Sequence, residues 1–134
     1  SQDFISAEDL EYWIRLSQVG KFYFLDKTLG EYCYYPSNIS NNTSIRANAY
    51  KHVRNYHLNM WIHNNSISKV KARICRGRIL SGVSRIYLRG RMYPKAIEYV
   101  RGALFLNPFY WKSWVVLLLA ILQFRLKKRP DHNI

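Results

Sequence analysis

From Ser44 onward the apolar residues recur with the period of an α-helix, broken by only a few short punctuation points. This pattern limits most of the chain to helices packed on helices, because a 3.6-residue stripe buries its apolar side against another helix. Ile45, Ala49, Val53, Tyr56, Met60 and Trp61 predict one helix reaching about residue 63, and Asn64-Asn65-Ser66 predicts its break. A second helix is expected to run to about Arg89, with Gly77 as a candidate interruption and Gly90 as the stop. Pro94 suits the first turn of a third helix ending near Leu106. Asn107-Pro108 punctuates again, and Tyr110 to Leu126 forms the last helix before Lys127-Lys128-Arg129-Pro130.

The front of the chain reads differently. Ser6 with Asp9 three residues later, followed by Leu10, Trp13 and Ile14, predicts a capped helix over about 7–19 with Gly20 as its stop. Phe22 to Leu25, a turn near Asp26-Lys27, and Leu29 to Tyr35 read as two short strands, or as one strand and an extended segment, closed by Pro36. Residues 36–44 are polar and form a loop. The expected fold class is mainly α with a small β element. At 134 residues and 49% hydrophobic, the chain can bury a core and need not be disordered.

The net charge of +13 is unevenly placed. Residues 1–31 hold six acids and three basic residues, a net −3, whereas residues 32–134 hold 18 basic residues and two acids, a net +16. A basic body of this kind seeks anionic partners such as lipid headgroups, nucleic acid or pyrophosphate. Cys33 and Cys75 are too few and too far apart for a disulfide scaffold or a zinc site, and suggest a reducing compartment. No basic, apolar, small-residue leader opens the chain. Its start at Ser1, almost directly into a helix, suggests a piece of a longer protein.

Residues 6–16, Ser-Ala-Glu-Asp-Leu-Glu-Tyr-Trp-Ile-Arg-Leu, resemble the Glu-Asp signature of family 2 glycosyltransferases. Gly20-Lys21, Phe22–Leu25, Asp26, Leu29, Tyr32 and Pro36-Ser37-Asn38-Ile39-Ser40 continue the resemblance in order over about the first 40 residues. The resemblance implies that residues 1–43 are the acceptor-side remnant, at the C-terminal edge, of a GT-A α/β catalytic domain. It implies Asp9 as the general base of inverting transfer, with Glu8 its neighbour, and Glu11, Tyr12 and Asn38 beside the acceptor. A sugar hydroxyl needs such a base, because a carboxylate must take its proton as it attacks the anomeric carbon. The nucleotide-sugar would bind a missing N-terminal half, together with a divalent metal, Mg or Mn. No Asp-x-Asp occurs in the chain, so no cofactor or metal is assigned to these residues themselves. The family's Arg and His before the loop are replaced by Cys33 and Tyr35. The same four residues, Ser6 to Asp9, also read as an ordinary capping box.

Residues 44–134 read as a basic helical tail. Within it, residues 77–110 resemble a single tetratricopeptide repeat, with Tyr87, Ala96, Ala103 and Pro108 at its aromatic, small, small and proline positions; Leu80 and Ser84 depart from it. One repeat implies a helical hairpin and not a solenoid. The terminal apolar helix, Trp114 to Leu122, is too short to span a bilayer. Burial against the hairpin is its leading reading. The sharper reading is an interfacial anchor, with Trp111, Trp114, Arg125, Lys127, Lys128 and Arg129 at an anionic membrane surface. His52, His57 and His63 do not share a face and read as surface or boundary residues. The functional expectation is an inverting glycosyltransferase acting on a lipid-linked or polysaccharide acceptor, cytoplasmic or peripheral at the inner membrane face. The present residues would be inactive alone and inclined to self-association. A helical protein-interaction module is the alternative. Nucleic acid is the less favoured partner, since no binding motif appears and acids crowd the front.

Overall fold

A computed structural model describes residues 7–31, 33, 35, 38 and 41–127. They form α1 (Glu8–Val19), α2 (Thr43–His63), α3 (Lys69–Arg89), α4 (Tyr93–Leu106) and α5 (Trp111–Lys127). Each boundary has a local cause. Glu8, Asp9 and Glu11 in the first turn of α1 suit the positive end of the helix dipole. Ser6 lies outside the described residues, and the N-cap position falls on Ala7, whose side chain makes no capping bond. At α2 the Asn42 Oδ1 accepts the Ser44 and Ile45 amides, both at 3.1 Å. Ser68 Oγ caps α3 by accepting the Lys71 amide at 3.3 Å. Pro94 stands in the first turn of α4, where its missing N–H costs nothing.

Gly77 does not interrupt its helix as expected, whereas Gly90 stops α3 as expected but without a left-handed backbone. Helix α3 runs unbroken through Gly77, where a Cβ would lie 2.9 Å from Asn107 Cβ and 3.2 Å from the Ala103 carbonyl oxygen. This glycine permits α4 to approach closely. At the α3–α4 reversal Gly90 has an ordinary φ of −78°, and the left-handed residue is Arg91, with φ 56°. Gly90 is instead pressed against Thr43, whose Cβ a side chain there would meet at 2.8 Å.

Helix α3 is the centre of the bundle, packing on α4, on α2 and more lightly on α5, while α4 also packs on α5. The seam is built from small residues. Ala47, Ala96, Ala103, Ala120, Ser81, Ser84 and Ser113 are all essentially inaccessible, with Val83, Val100 and Tyr87 filling between them. The Tyr87 ring stacks on Tyr99 with centroids 5.4 Å apart. Helix α1 touches the bundle lightly, through Leu10 and Ile14 against Val53 of α2.

The expected β element and GT-A edge are not observed: among the described residues there is no strand, and the fold is a five-helix bundle. From Gly20 to Glu31 the chain has no regular structure, and Phe22, Tyr23, Phe24, Leu25 and Leu29 are all exposed, Phe24 to 91%. The physical reason is that a strand needs a partner to accept and donate its ladder bonds, and a pair of short strands with no further strand or packed face is marginal in water. Two further expectations are corrected by burial. Trp13, which its helical spacing with Leu10 and Ile14 would place in the core, is 52% exposed, because α1 lies over the edge of the bundle and not within it. His57, read as a surface or boundary residue, is 2% exposed.

Candidate functional site

The first turn of α1 carries three carboxylates with different surroundings. Glu8 and Asp9 are both exposed. Asp9 Oδ1 accepts the Leu10 amide at 2.7 Å, an interaction of a carboxylate with its own helix start. Its residue also borders an open groove of about 220 Å³, closed on the far side by Arg46 and Tyr50 of α2 and Ile86 of α3. The groove therefore combines a proton acceptor, a guanidinium and a phenol ring.

Glu11 is turned the other way. Its carboxylate lies 3.0 Å from Arg15 Nε and 3.8 Å from His57 Nε2, and the side chain is only 15% exposed. Tyr12 is half-exposed, edge-on to Trp13 at 5.5 Å, with the Arg15 guanidinium over its ring. Trp13 in turn meets Phe22 edge-on at 5.8 Å. Asn38 closes a local turn. Its amide donates to the Tyr35 carbonyl at 3.0 Å, and its side chain reaches the Cys33 carbonyl at 3.5 Å. The structure thus gathers Tyr12, Trp13 and Phe22 into an aromatic group, and commits Glu11 to Arg15.

Beneath α1 lies a second cavity of about 350 Å³, bordered by Ile14 and Ser17 above and by Arg54, His57, Cys75 and Arg78 below. Both ring nitrogens of His57 are buried without a hydrogen-bond partner. Burial pushes its pKa below the usual 6.5; Glu11 opposes this and Arg15 adds to it. Sequence reasoning missed Arg46 and Tyr50 at the groove and His57 at the cavity. The available signal was their spacing: Arg46, Tyr50 and His57 stand at i, i+4 and i+11, on one face of α2.

Helix α5 presents an unexpected surface. It buries Ser113, Val116 and Ala120, whereas Trp111, Trp114, Val115, Leu118, Leu119, Leu122 and Leu126 are exposed. The leading expectation of burial holds for one side of this helix alone. Arg125 and Lys127 lie in its last turn, and Lys128 and Arg129 lie outside the described residues. No helix is long and apolar enough to cross a membrane among the described residues. Nor do three His, Cys, Asp or Glu side chains converge there as metal ligands. Comparison with protein-family models, with curated proteins and with solved structures finds no match to this chain.

Proposed function

We propose that α1 presents Asp9 as the general base of an inverting sugar transfer, acting on a hydroxyl acceptor held in the groove against Arg46 and Tyr50. The observation that carries this reading is an exposed carboxylate on the first turn of a helix, beside an open groove. The ordered resemblance of residues 6–40 to the family 2 glycosyltransferases supports it. A base in this role must come within hydrogen-bond reach of the acceptor, and exposure beside the groove leaves Asp9 accessible to one. Asp9 would take the hydroxyl proton as the oxygen bonds to the anomeric carbon and the nucleotide leaves. The half-exposed Tyr12 offers the acceptor a flat ring, and Glu8 a second carboxylate. Glu11 serves the fold through Arg15.

The donor nucleotide-sugar, and a divalent metal with it, would be held by residues other than these. Glu8, Asp9 and Glu11 do not converge as a ligand set, so no step is assigned to a metal in this chain. The exposed run Phe22 to Leu29 is a surface for such a donor-binding unit to cover, since contiguous exposed apolar side chains mark interaction sites. A cytoplasmic setting at the inner membrane face accompanies this reading, in keeping with free thiols at Cys33 and Cys75.

The test is sugar transfer by the gene product in which this chain occurs. Asp9→Asn is expected to lower turnover by about a hundredfold to ten-thousandfold, leaving acceptor affinity and melting temperature nearly unchanged. Undiminished turnover in that variant, or failure of the wild-type product to bind any nucleotide-sugar, would refute the proposal.

A further inference from the structure

We infer that the outward face of α5 docks on an anionic lipid leaflet, lying in the headgroup plane without crossing it. At 100° per residue, Trp114, Leu118, Trp111, Leu122, Val115, Leu126 and Leu119 fall within an arc of roughly 140°. All seven are exposed, from 41% at Leu119 to 65% at Trp111. The opposite side of the helix buries Ser113, Val116 and Ala120 against the bundle. A helix packed on one side would ordinarily turn polar residues to water on the other. Here the water-facing side carries seven large apolar side chains.

Charge chooses the occupant. Arg125 stands at the C-terminal end of the apolar arc, Lys112 flanks it, and Lys127 ends the helix. A groove of about 250 Å³ beside Trp111, Val115 and Leu119 is edged by Arg85, Arg89 and Lys112 and contains no acid. An apolar stripe ringed by cations, with tryptophans at one end, matches the boundary between headgroups and acyl chains. The stripe occupies a single 17-residue helix, shorter than the roughly 20 apolar residues a bilayer span needs, so insertion stays shallow. A two-fold contact between copies fits less well, because it would bring the cations of both α5 helices around one apolar seam. The inference uses no residue of the Asp9 groove and stands or falls separately from it.

The test mixes the full chain with vesicles of phosphatidylcholine and phosphatidylserine in a two-to-one ratio, and with vesicles of phosphatidylcholine alone. The chain is expected to sediment with the anionic vesicles, less so as salt is raised, with a blue shift in tryptophan fluorescence. Leu118→Asp with Leu122→Asp is expected to weaken binding by at least about tenfold. Both side chains are about half-exposed or more, so circular dichroism should not change. Arg125→Glu with Lys127→Glu should weaken binding by roughly fivefold or more per cation. Quenching of wild-type tryptophan by brominated lipid reads the same contact without any substitution. The inference is overturned by no sedimentation, by equal sedimentation with neutral vesicles, or by leucine substitutions that leave binding intact. It is also overturned if the lipid-free chain dimerises and those leucine substitutions make it monomeric, for then the face belongs to a second copy.

Discussion

Replacing His57 with leucine separates two opposing effects that meet at one side chain. The imidazole is 2% exposed and both its nitrogens lack a hydrogen-bond partner. A buried polar group left unpaired costs about 1–3 kcal/mol. Leucine removes that cost at similar volume, so near pH 8 His57→Leu is expected to equal the wild type or exceed it by up to about 2 kcal/mol. The pH dependence follows from the lowered pKa of the folded state. Burial disfavours the imidazolium, and Arg15 acts in the same direction. Glu11 favours the charged form, but its oxygen is 3.8 Å away and already paired with Arg15 at 3.0 Å, so burial wins. As pH falls through the ordinary imidazole value of 6.5, the unfolded chain takes up a proton that the folded chain refuses. The wild type therefore loses stability below 6.5, by at most about 1.4 kcal/mol per pH unit, until the folded-state pKa is passed. Above 6.5 this residue contributes no slope. Urea unfolding of both proteins, followed by circular dichroism from about pH 8 to about pH 5, isolates the effect, since groups common to both cancel in the difference. A wild type that gains on the leucine variant upon acidification would mean that the Glu11 contact dominates, and the reasoning would be wrong.

Leu58→Ala should cost about 2–5 kcal/mol, read as a lower urea midpoint, because this 1%-exposed leucine fills the junction of α2 with α3. Asn42→Ala removes the acceptor of two amides at the start of α2 and should cost about 0.5–2 kcal/mol by the same measurement. At the α3–α4 reversal the two neighbours should respond oppositely. Arg91→Gly should raise stability by about 1 kcal/mol by relieving a left-handed non-glycine residue. Gly90→Ala should lower it by about 1–3 kcal/mol as its methyl meets Thr43, and equal melting of the two variants would contradict this assignment.

Helix positions after Ser44 were legible because each end carries its own chemistry. Pro94 fits a first turn by its fixed φ and the Asn64-Asn65 pair breaks a helix, both local effects that a reader of the chain can place, whereas the capping bonds of Asn42 and Ser68 were not anticipated. The groove at Asp9 was half legible. Its carboxylate was named in advance, whereas Arg46 and Tyr50 enter only because α1 is laid across α2. The aromatic-rich run from Phe22 to Tyr35 misled for the opposite reason: its composition fits strands, but a ladder depends on a partner that sequence proximity does not supply.

What the amino-acid order settled alone was therefore local: the helical period, the breaks between helices after Ser44 and the division of charge between an acidic front and a basic body. Which side of each helix meets protein was left to tertiary packing. Helix α5 is apolar around most of its circumference, so its sequence marks no inward side, and Ser113, Val116 and Ala120 went inside, where their modest size lets α3 and α4 come close. The larger leucines and tryptophans were turned outward, and His57 was sealed in when α1 settled above it. Close packing selects by size and by what lies opposite, and neither is written at the residue itself.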